Sequence, residues 1–322
     1  MDRPILSLVV VSYRKGELLE DCLRSARSAL AEVEGETELI LVMNGTSAAE
    51  AVVGESALEG IELVEEPENI GFAAAVSDGI RRGRGEWIAL LNDDATVEPR
   101  AFVLMLEAGS SADDVGSVAA QMRFSDRPQV INSAGIEVDR TGVAYDRLLG
   151  EPVSASEREV AEVFGACGGA ALYRREMLEQ VGGFDESFYA YLEDVDVAWR
   201  ARMSGWRCLY VPEAVVLHHH SSTLGHGSRR KHFLVGQNRV RLLAKNATTA
   251  QLRRYGARML LYDTGYILFV AVRGWTLAPL WGRLAGLREW RRYRRAGAAG
   301  RRAVPLARVS GFRAALRRQR AW

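Results

Sequence analysis

The chain lacks any apolar run long enough to cross a bilayer. Its most apolar stretch, Met259–Val272, is 14 residues long and holds Asp263, and extending it to Leu287 adds Arg273 and Arg283. A transmembrane helix needs roughly 18–20 apolar residues with few charges. Cysteine is scarce: Cys22, Cys167 and Cys208 are an odd number, widely spaced in 322 residues. That excludes a disulfide framework and any cysteine metal motif. The N-terminus shows no basic region and cleavage site before its first apolar segment, so a reducing, cytoplasmic setting is expected. A nucleotide-binding turn of the dehydrogenase type is missing, because Gly83-Arg84-Gly85 precedes a strand where such a turn follows one. No internal repeat and no low-complexity linker interrupt the first 228 residues. The length suits one large α/β domain, or one domain with an appendage.

Hydrophobic content of 48% and charged content of 26% are ordinary for a folded protein. The net charge of +1 conceals a segregation. Residues 288–322 hold twelve Arg, one Glu and no Lys, a net of +11, which leaves −10 on the other 287 residues. A basic tail of that kind meets an anionic surface, membrane or nucleic acid. The acidic body would repel a phosphate backbone and carries no pattern of stacking aromatics, which argues for no nucleic acid.

Ile5–Val11 is an apolar, β-branched strand, followed by a helix with apolar Leu18, Leu19, Cys22, Leu23 and Ala26 at close to a 3.6 period. Leu39–Met43, Ile61–Val64 and Glu86–Leu91 are further strands. Asn44-Gly45-Thr46-Ser47 is a turn that can cap a helix, and Asn69-Ile70-Gly71-Phe72 opens a helix running to about Arg82. This alternation predicts a doubly wound parallel sheet. Regularity falls between 110 and 165, where turns at 132–135 and 140–142 suggest antiparallel pieces. Gly165–Ala170 is small-residue backbone that lets a ligand approach. Helices are expected near Arg174 and over Leu192–Ser204, then a strand, Val215–His218, after Pro212. From Arg229 helical patterns with Arg on one side dominate. They read as interfacial amphipathic helices lying in a headgroup region, or else as a helical subdomain packed on the core.

Three clusters carry chemistry. Asn92-Asp93-Asp94 sits at the carboxyl end of the fourth strand, where ligands of open α/β sheets bind. Paired acids there suit a divalent cation accompanying a phosphate, and the alternative is an aspartate-rich turn capping a helix near Pro99. In Glu193-Asp194-Val195-Asp196, followed by Arg200, residues 193, 196 and 200 share a helical face, which predicts an Asp196–Arg200 ion pair. Asp194 lies in the first turn, as a capping acid or as a general base aimed into a cleft. In His218-His219-His220 one imidazole could complete a metal site begun by Asp94.

In this order the motifs resemble the family 2 glycosyltransferases, inverting enzymes with a GT-A fold, over roughly residues 5–245. Val9-Val10-Val11-Ser12-Tyr13 is similar to the opening strand and its nucleotide-side turn, and Asn69-Ile70-Gly71-Phe72-Ala73 to the Asn-x-Gly-Phe segment. Leu91-Asn92-Asp93-Asp94 matches the DxD metal motif with Asn in the first position. Gly182-Gly183-Phe184-Asp185-Glu186, the 193–200 cluster, Gly205-Trp206 and Val211–His218 resemble the acceptor-side signature. The flavour is that of rhamnosyltransferases acting on surface polysaccharide.

The resemblance implies a GT-A domain over 1–228, with its nucleotide-sugar half about 1–110 and its acceptor half about 111–228. Residues 229–322 would be a helical, Arg-rich, membrane-associating region. It implies Asp194 as catalytic base and Asp94 and His218 as ligands of Mn2+ or Mg2+. Ser12, Tyr13, Asn44, Asn69, Gly71, Phe72 and Asp93 fall on the donor side, and Gly168, Gly169, Glu193 and Trp206 on the acceptor side. The expected reaction moves a sugar, rhamnose foremost, from a dTDP- or UDP-sugar to a lipid-linked or cell-surface glycan. It takes place on the inner face of the plasma membrane, where the chain is peripheral. Met43 stands where the family usually has an Asp that reads the base, and a non-catalytic binding module of the same fold is the alternative.

Overall fold

The computed structural model describes residues 3–13, 16–45, 54, 58–219, 228–297 and 302–309. His220 and the capping residues Thr46 and Ser47 lie outside the described residues. The first strands are apolar on both faces, with the period of two that a pleat imposes. In β1 (Leu6–Ser12), Leu6, Leu8 and Val10 enter one core and Val9 the opposite one. β2 (Thr37–Asn44) divides into Leu39, Leu41 and Met43 against Ile40 and Val42, and β4 (Trp87–Asn92) into Trp87, Ala89 and Leu91 against Ile88 and Leu90. Strands of this kind are stable only between two layers of helices. α1 (Glu17–Ala31) and α3 (Ala101–Gly109) cover the first face. The second is covered by α2 (Phe72–Arg82), α4 (Arg175–Val181) and α5 (Glu193–Met203).

With β3 (Glu62–Glu66), these strands form the parallel run β3-β2-β1-β4 that the sequence predicts. Beyond β4 the sheet is mixed rather than mostly parallel. β11 (Ala170–Arg174) enters beside the carboxyl end of β4, so it must run back along it. β11 pairs antiparallel with β6 (Val115–Phe124), which lies parallel to β12 (Arg207–His218), and β10 (Ala161–Val163) closes that edge. β5 (Ala95–Val97) pairs with β12 and β7 (Arg127–Ser133) with β6, which makes a sheet of ten strands. β8 (Ile136–Val138) and β9 (Ala144–Asp146) form a separate hairpin. The strand expected at 215–218 is longer than its pattern suggests. β12 contains Pro212, and the register shifts between Val211 and Val215, an irregularity of the type that accommodates proline.

Three helices follow: α6 (Arg229–Asn246), α7 (Thr249–Gly274) and α8 (Ala278–Ala296). α6 and α8 run side by side in backbone contact, since a Cβ on Gly282 would collide with the Phe233 carbonyl oxygen. Leu242, Leu243 and Tyr293 of this pair build a third core with Trp199 and Val195 of α5 and with Phe188. The C-terminal helices thus rest on the back of the segment that leads into α5. No helix among the described residues is long and apolar enough to cross a membrane.

Candidate active site

Asp93 and Asp94 form the turn between β4 and β5. They do not cap α3, whose N-cap is Arg100 and makes no side-chain cap bond. Both acids are buried. Asp93 Oδ2 accepts from Ser12 Oγ at 2.8 Å and from the Tyr13 backbone N–H at 3.2 Å, which ties the acidic turn to the end of β1. Asp94 faces the other way. Its Oδ1 lies 3.0 Å from His218 Nε2, and its backbone oxygen accepts from the His219 N–H at 2.8 Å. The pairing of β5 with β12 sets His218 beside this turn. His218 Nδ1 lies 3.0 Å from Asn132 Oδ1, a contact that holds the ring in place. His219 instead lies exposed, with Nδ1 near Ser125 Oγ. Of the two described histidines of the triplet, His218 is therefore the one in the site.

The Cys167–Gly169 turn joins the acids to the second cluster. The Asn92 N–H donates to the Gly169 carbonyl at 2.9 Å, and the Gly168 N–H donates to Asp194 Oδ2 at 3.0 Å. Asp194 Oδ1 accepts from the Val195 N–H at 2.8 Å. Burial pushes the Asp194 carboxyl up to about 6, Asp146 adds to the rise, and the two N–H donors oppose it. Burial and the neighbouring Asp194 charge raise Glu193 to about 8, and Glu193 Oε2 is buried without a hydrogen bond. Asp196 behaves in the opposite way. Burial works to raise it, but Arg200, Lys245 and Asn246 outweigh burial and hold it below its ordinary value. The expected Asp196–Arg200 pair is present at 2.7 Å, and Lys245 Nζ at 2.8 Å and Asn246 Nδ2 at 2.8 Å join it from α6.

The segment before α5 is strained, with Tyr189, Tyr191 and Leu192 all at positive φ (61, 72 and 68°). It is held from outside. Asn238 Nδ2 on α6 lies 2.7 Å from the Phe188 carbonyl, 2.9 Å from that of Ala190 and 2.8 Å from that of Tyr191. Tyr189 also organises the Asn69–Phe72 turn. Its hydroxyl donates to Asn69 Oδ1 at 2.9 Å, and its carbonyl accepts from the Ala73 N–H at 3.0 Å. Gly71, at φ 93°, passes so close that a Cβ there would lie 2.7 Å from the Tyr189 oxygen. Asn44 is consumed inside this turn, with Oδ1 accepting from the Ile70 N–H at 2.9 Å and Nδ2 donating to the Gly71 carbonyl at 3.3 Å. Met43 is fully buried in the core under α1.

Ser12, Tyr13, Asn44, Asn69, Gly71, Phe72, Asp93, Asp94, Gly168, Gly169, Glu193, Asp194 and His218 therefore lie on one connected cluster of turns at the carboxyl ends of β1, β2 and β4. Trp206 is the exception and corrects the expectation. It follows the far end of α5, which lies about 14 Å along the helix from Asp194, and packs where β6 begins, beside Gly116. Sequence reasoning missed Asn132, Asp146, Tyr189 and Asn238. Asp146 ends β9 within reach of Ser133 and Cys167, and burial raises it despite the charges of His218 and Lys231. Burial, then Asp146 and Asp194, keep the Cys167 thiol protonated. Among the described residues no group of three or more His, Cys, Asp or Glu could by itself hold a metal ion.

The family model described as "Glycosyltransferase like family 2" matches residues 3–233. The chain is 29% identical over 248 residues to the N-acetylglucosaminyl-diphospho-decaprenol L-rhamnosyltransferase of Mycobacterium tuberculosis, across 69% of this chain and 78% of that one. It is 23% identical over 261 residues to the poly-beta-1,6-N-acetyl-D-glucosamine synthase of Staphylococcus aureus, across 80% and 60%. The crystal structure of GalNAc-T7 with UDP, GalNAc and Mn2+ superposes with a TM-score of 0.61 at 15% identity, over 77% of this chain and 49% of that one. The mannosyltransferase PcManGT from Pyrobaculum calidifontis, in complex with GDP-Man and Mn2+, gives 0.54 at 18% identity, over 92% and 85%. The chain thus spans about half the length of the first structure. At these identities the two structures show the fold alone.

Proposed function

Because the chain belongs to the family 2 glycosyltransferases and has the GT-A fold, we propose that it transfers a sugar with inversion from a nucleotide-sugar donor to a lipid-linked or cell-surface glycan. The observation that carries this reading is the Gly168–Gly169 turn, which joins a buried base, Asp194, to the acidic turn of β4 through two backbone hydrogen bonds. The rhamnosyltransferase relative, whose name specifies a lipid diphosphate, supports dTDP-rhamnose ahead of UDP-sugars and a lipid-linked acceptor. Residues 1–228 would be the transferase unit, and 229–322 the helical, basic region that brings it to an anionic membrane. The working location would be the cytoplasmic face.

The ring of turns would bind the donor, with Asp93 holding Ser12 and Tyr13 at the nucleotide and Asn44 and Asn69 fixing the Gly71-Phe72 corner. Asp194 would accept the proton of the acceptor hydroxyl. That oxygen attacks the anomeric carbon from the face opposite the diphosphate. The new C–O bond forms as the bond from carbon to phosphate oxygen breaks, and the electron pair departs on the nucleoside diphosphate. A raised carboxyl suits this step, because a base near 6 is ionised at neutral pH yet still basic.

Asp94 and His218 fit a divalent cation. Nε2 and Oδ1 lie 3.0 Å apart, a neutral-imidazole nitrogen and a carboxylate oxygen of the kinds that ligate Mn2+ and Mg2+. Asn132 is the outer partner that orients the imidazole. Mn2+ or Mg2+ bound there would supply the positive charge that stabilises the departing diphosphate.

Calorimetry of dTDP, UDP, GDP and their sugars, with and without Mn2+, tests the reading. Metal-dependent binding of one nucleotide, lost in Asp94→Ala, is expected. Absence of binding by all of them would overturn it.

A further inference from the structure

Of the fourteen large apolar side chains exposed among the described residues, eleven lie between 260 and 287. Only Gln251, Met259 and Val270 of the 26 residues of α7 are buried. Leu261 (74% exposed), Leu268 (60%) and Val272 (73%) follow one another at seven and four residues, so they form one stripe on the outer side of the helix. The stripe runs into Trp275, 85% exposed at the left-handed end of α7 (φ 49°), and continues with Trp281 and Leu287 on α8. A monomer surface seldom exposes so continuous an apolar band without something to meet it.

Charge identifies the occupant. Residues 249–297 carry ten Arg and only two acids, Asp263 and Glu289. Both acids are already paired, Asp263 with Arg239 and Arg283, Glu289 with Arg241. Exposed Arg253, Arg254 and Arg258 precede the stripe and exposed Arg273 follows it. A second copy of this face would meet the same positive charge and be repelled. A surface with an apolar interior and anionic phosphates matches both features.

We propose that the outer face of α7 and α8 docks on an anionic phospholipid bilayer, with the stripe in the acyl boundary, Trp275 and Trp281 at headgroup level, and the arginines on phosphates. Residues 260–272 extend about 20 Å along the helix, short of the roughly 30 Å hydrocarbon core. α7 therefore lies in the plane of the surface. Its other side packs on α6: the Tyr266 hydroxyl is 3.0 Å from His232 Nδ1 on the first turn of that helix, next to Lys231, whose charge acts on Asp146. Docking would set the cleft mouth against the bilayer. That delivery of a lipid-linked acceptor rests on the function proposed above, whereas the docking itself does not.

The test is flotation of the full chain with phosphatidylcholine vesicles, with and without phosphatidylglycerol. Salt-sensitive binding to the anionic vesicles alone is expected. Leu261→Glu/Leu268→Glu/Val272→Glu should weaken it at least about tenfold, from the apolar burial forfeited. Arg253→Gln/Arg254→Gln/Arg258→Gln should weaken it as well, and the melting temperature should be unchanged in both. Wild type that fails to float, or a triple Glu variant that floats like wild type, overturns the proposal. So does a wild-type dimer in sedimentation that the triple Glu variant abolishes while vesicles go unbound. Donor calorimetry on the triple Glu variant should match wild type, which separates failure of docking from failure of the transferase reading.

Discussion

Replacing Asn238 should damage catalysis from a helix that contributes no group to the chemistry. The residue is fully buried, and its amide faces three carbonyls of the 188–191 segment at 2.7–2.9 Å. Leucine has nearly the same shape and no donor, so Asn238→Leu removes both amide hydrogens without opening a cavity; the Phe188 carbonyl keeps the Ala190 N–H at 2.7 Å, and the Ala190 and Tyr191 oxygens are the ones orphaned. At about 1 kcal/mol for each of the two buried acceptors left unpaired, the low end because the segment can relax, the loss is about 2 kcal/mol. Relaxation is the damaging part. Tyr189, Tyr191 and Leu192 keep positive φ only while their surroundings impose it, at a cost on the order of 1–3 kcal/mol each. Leu192 is two residues from Asp194, so a relaxed segment displaces the base. A shift of about 1 Å is enough to lower kcat on the order of 100-fold. Urea denaturation and steady-state donor turnover measure the two effects. A variant destabilised by less than about 1 kcal/mol with wild-type kcat would refute the reasoning.

Asp194→Asn should lower turnover by about 10²–10⁴-fold with donor affinity nearly unchanged, as calorimetry beside a turnover assay would register. Because burial raises the Asp194 carboxyl to about 6, kcat/KM should fall as pH drops through about 6, and Asp146→Asn should move that limb to lower pH. The same shift has a stability sign. The folded state holds this proton more tightly than the unfolded chain, so the contribution is full below about 4 and is lost as pH rises through about 6. Asp194→Asn should therefore melt higher than wild type at pH 8. Asn132→Leu should weaken Mn2+-dependent nucleotide binding about 10–100-fold through misorientation of His218, with no effect on binding in EDTA.

What the sequence revealed depended on how local the cause was. β1, β2 and β4 read as unbroken apolar runs because helices cover both of their faces, and Asp93-Asp94 stood out because charge ends such a run. Asp194 and His218 were legible from their neighbours in the chain. Asn132, Asp146 and Asn238 were not, because each is a single polar residue whose partners lie far away in sequence, in a three-residue strand, at a sheet edge or inside a helix. Trp206 misled for the complementary reason. It follows the acidic cluster closely in sequence, but eleven helical residues carry it away in space. The reversal at β11 was hidden because strand direction is set by where a segment enters the sheet, which composition does not record.

The pairing of β5 with β12 also bears on how the protein comes into being. Asp94 and His218 are 124 positions apart and become neighbours only when that ladder closes. A nascent chain that has released the first four strands holds about half of one core while its acidic turn still lacks the imidazole. Contacts of such long range form late. The same chain remains without the α6 amide that holds the 188–191 segment ahead of Asp194. Folding order thus acts as a timer, and the cleft acquires its full set of groups only after α6 has been synthesised and has docked.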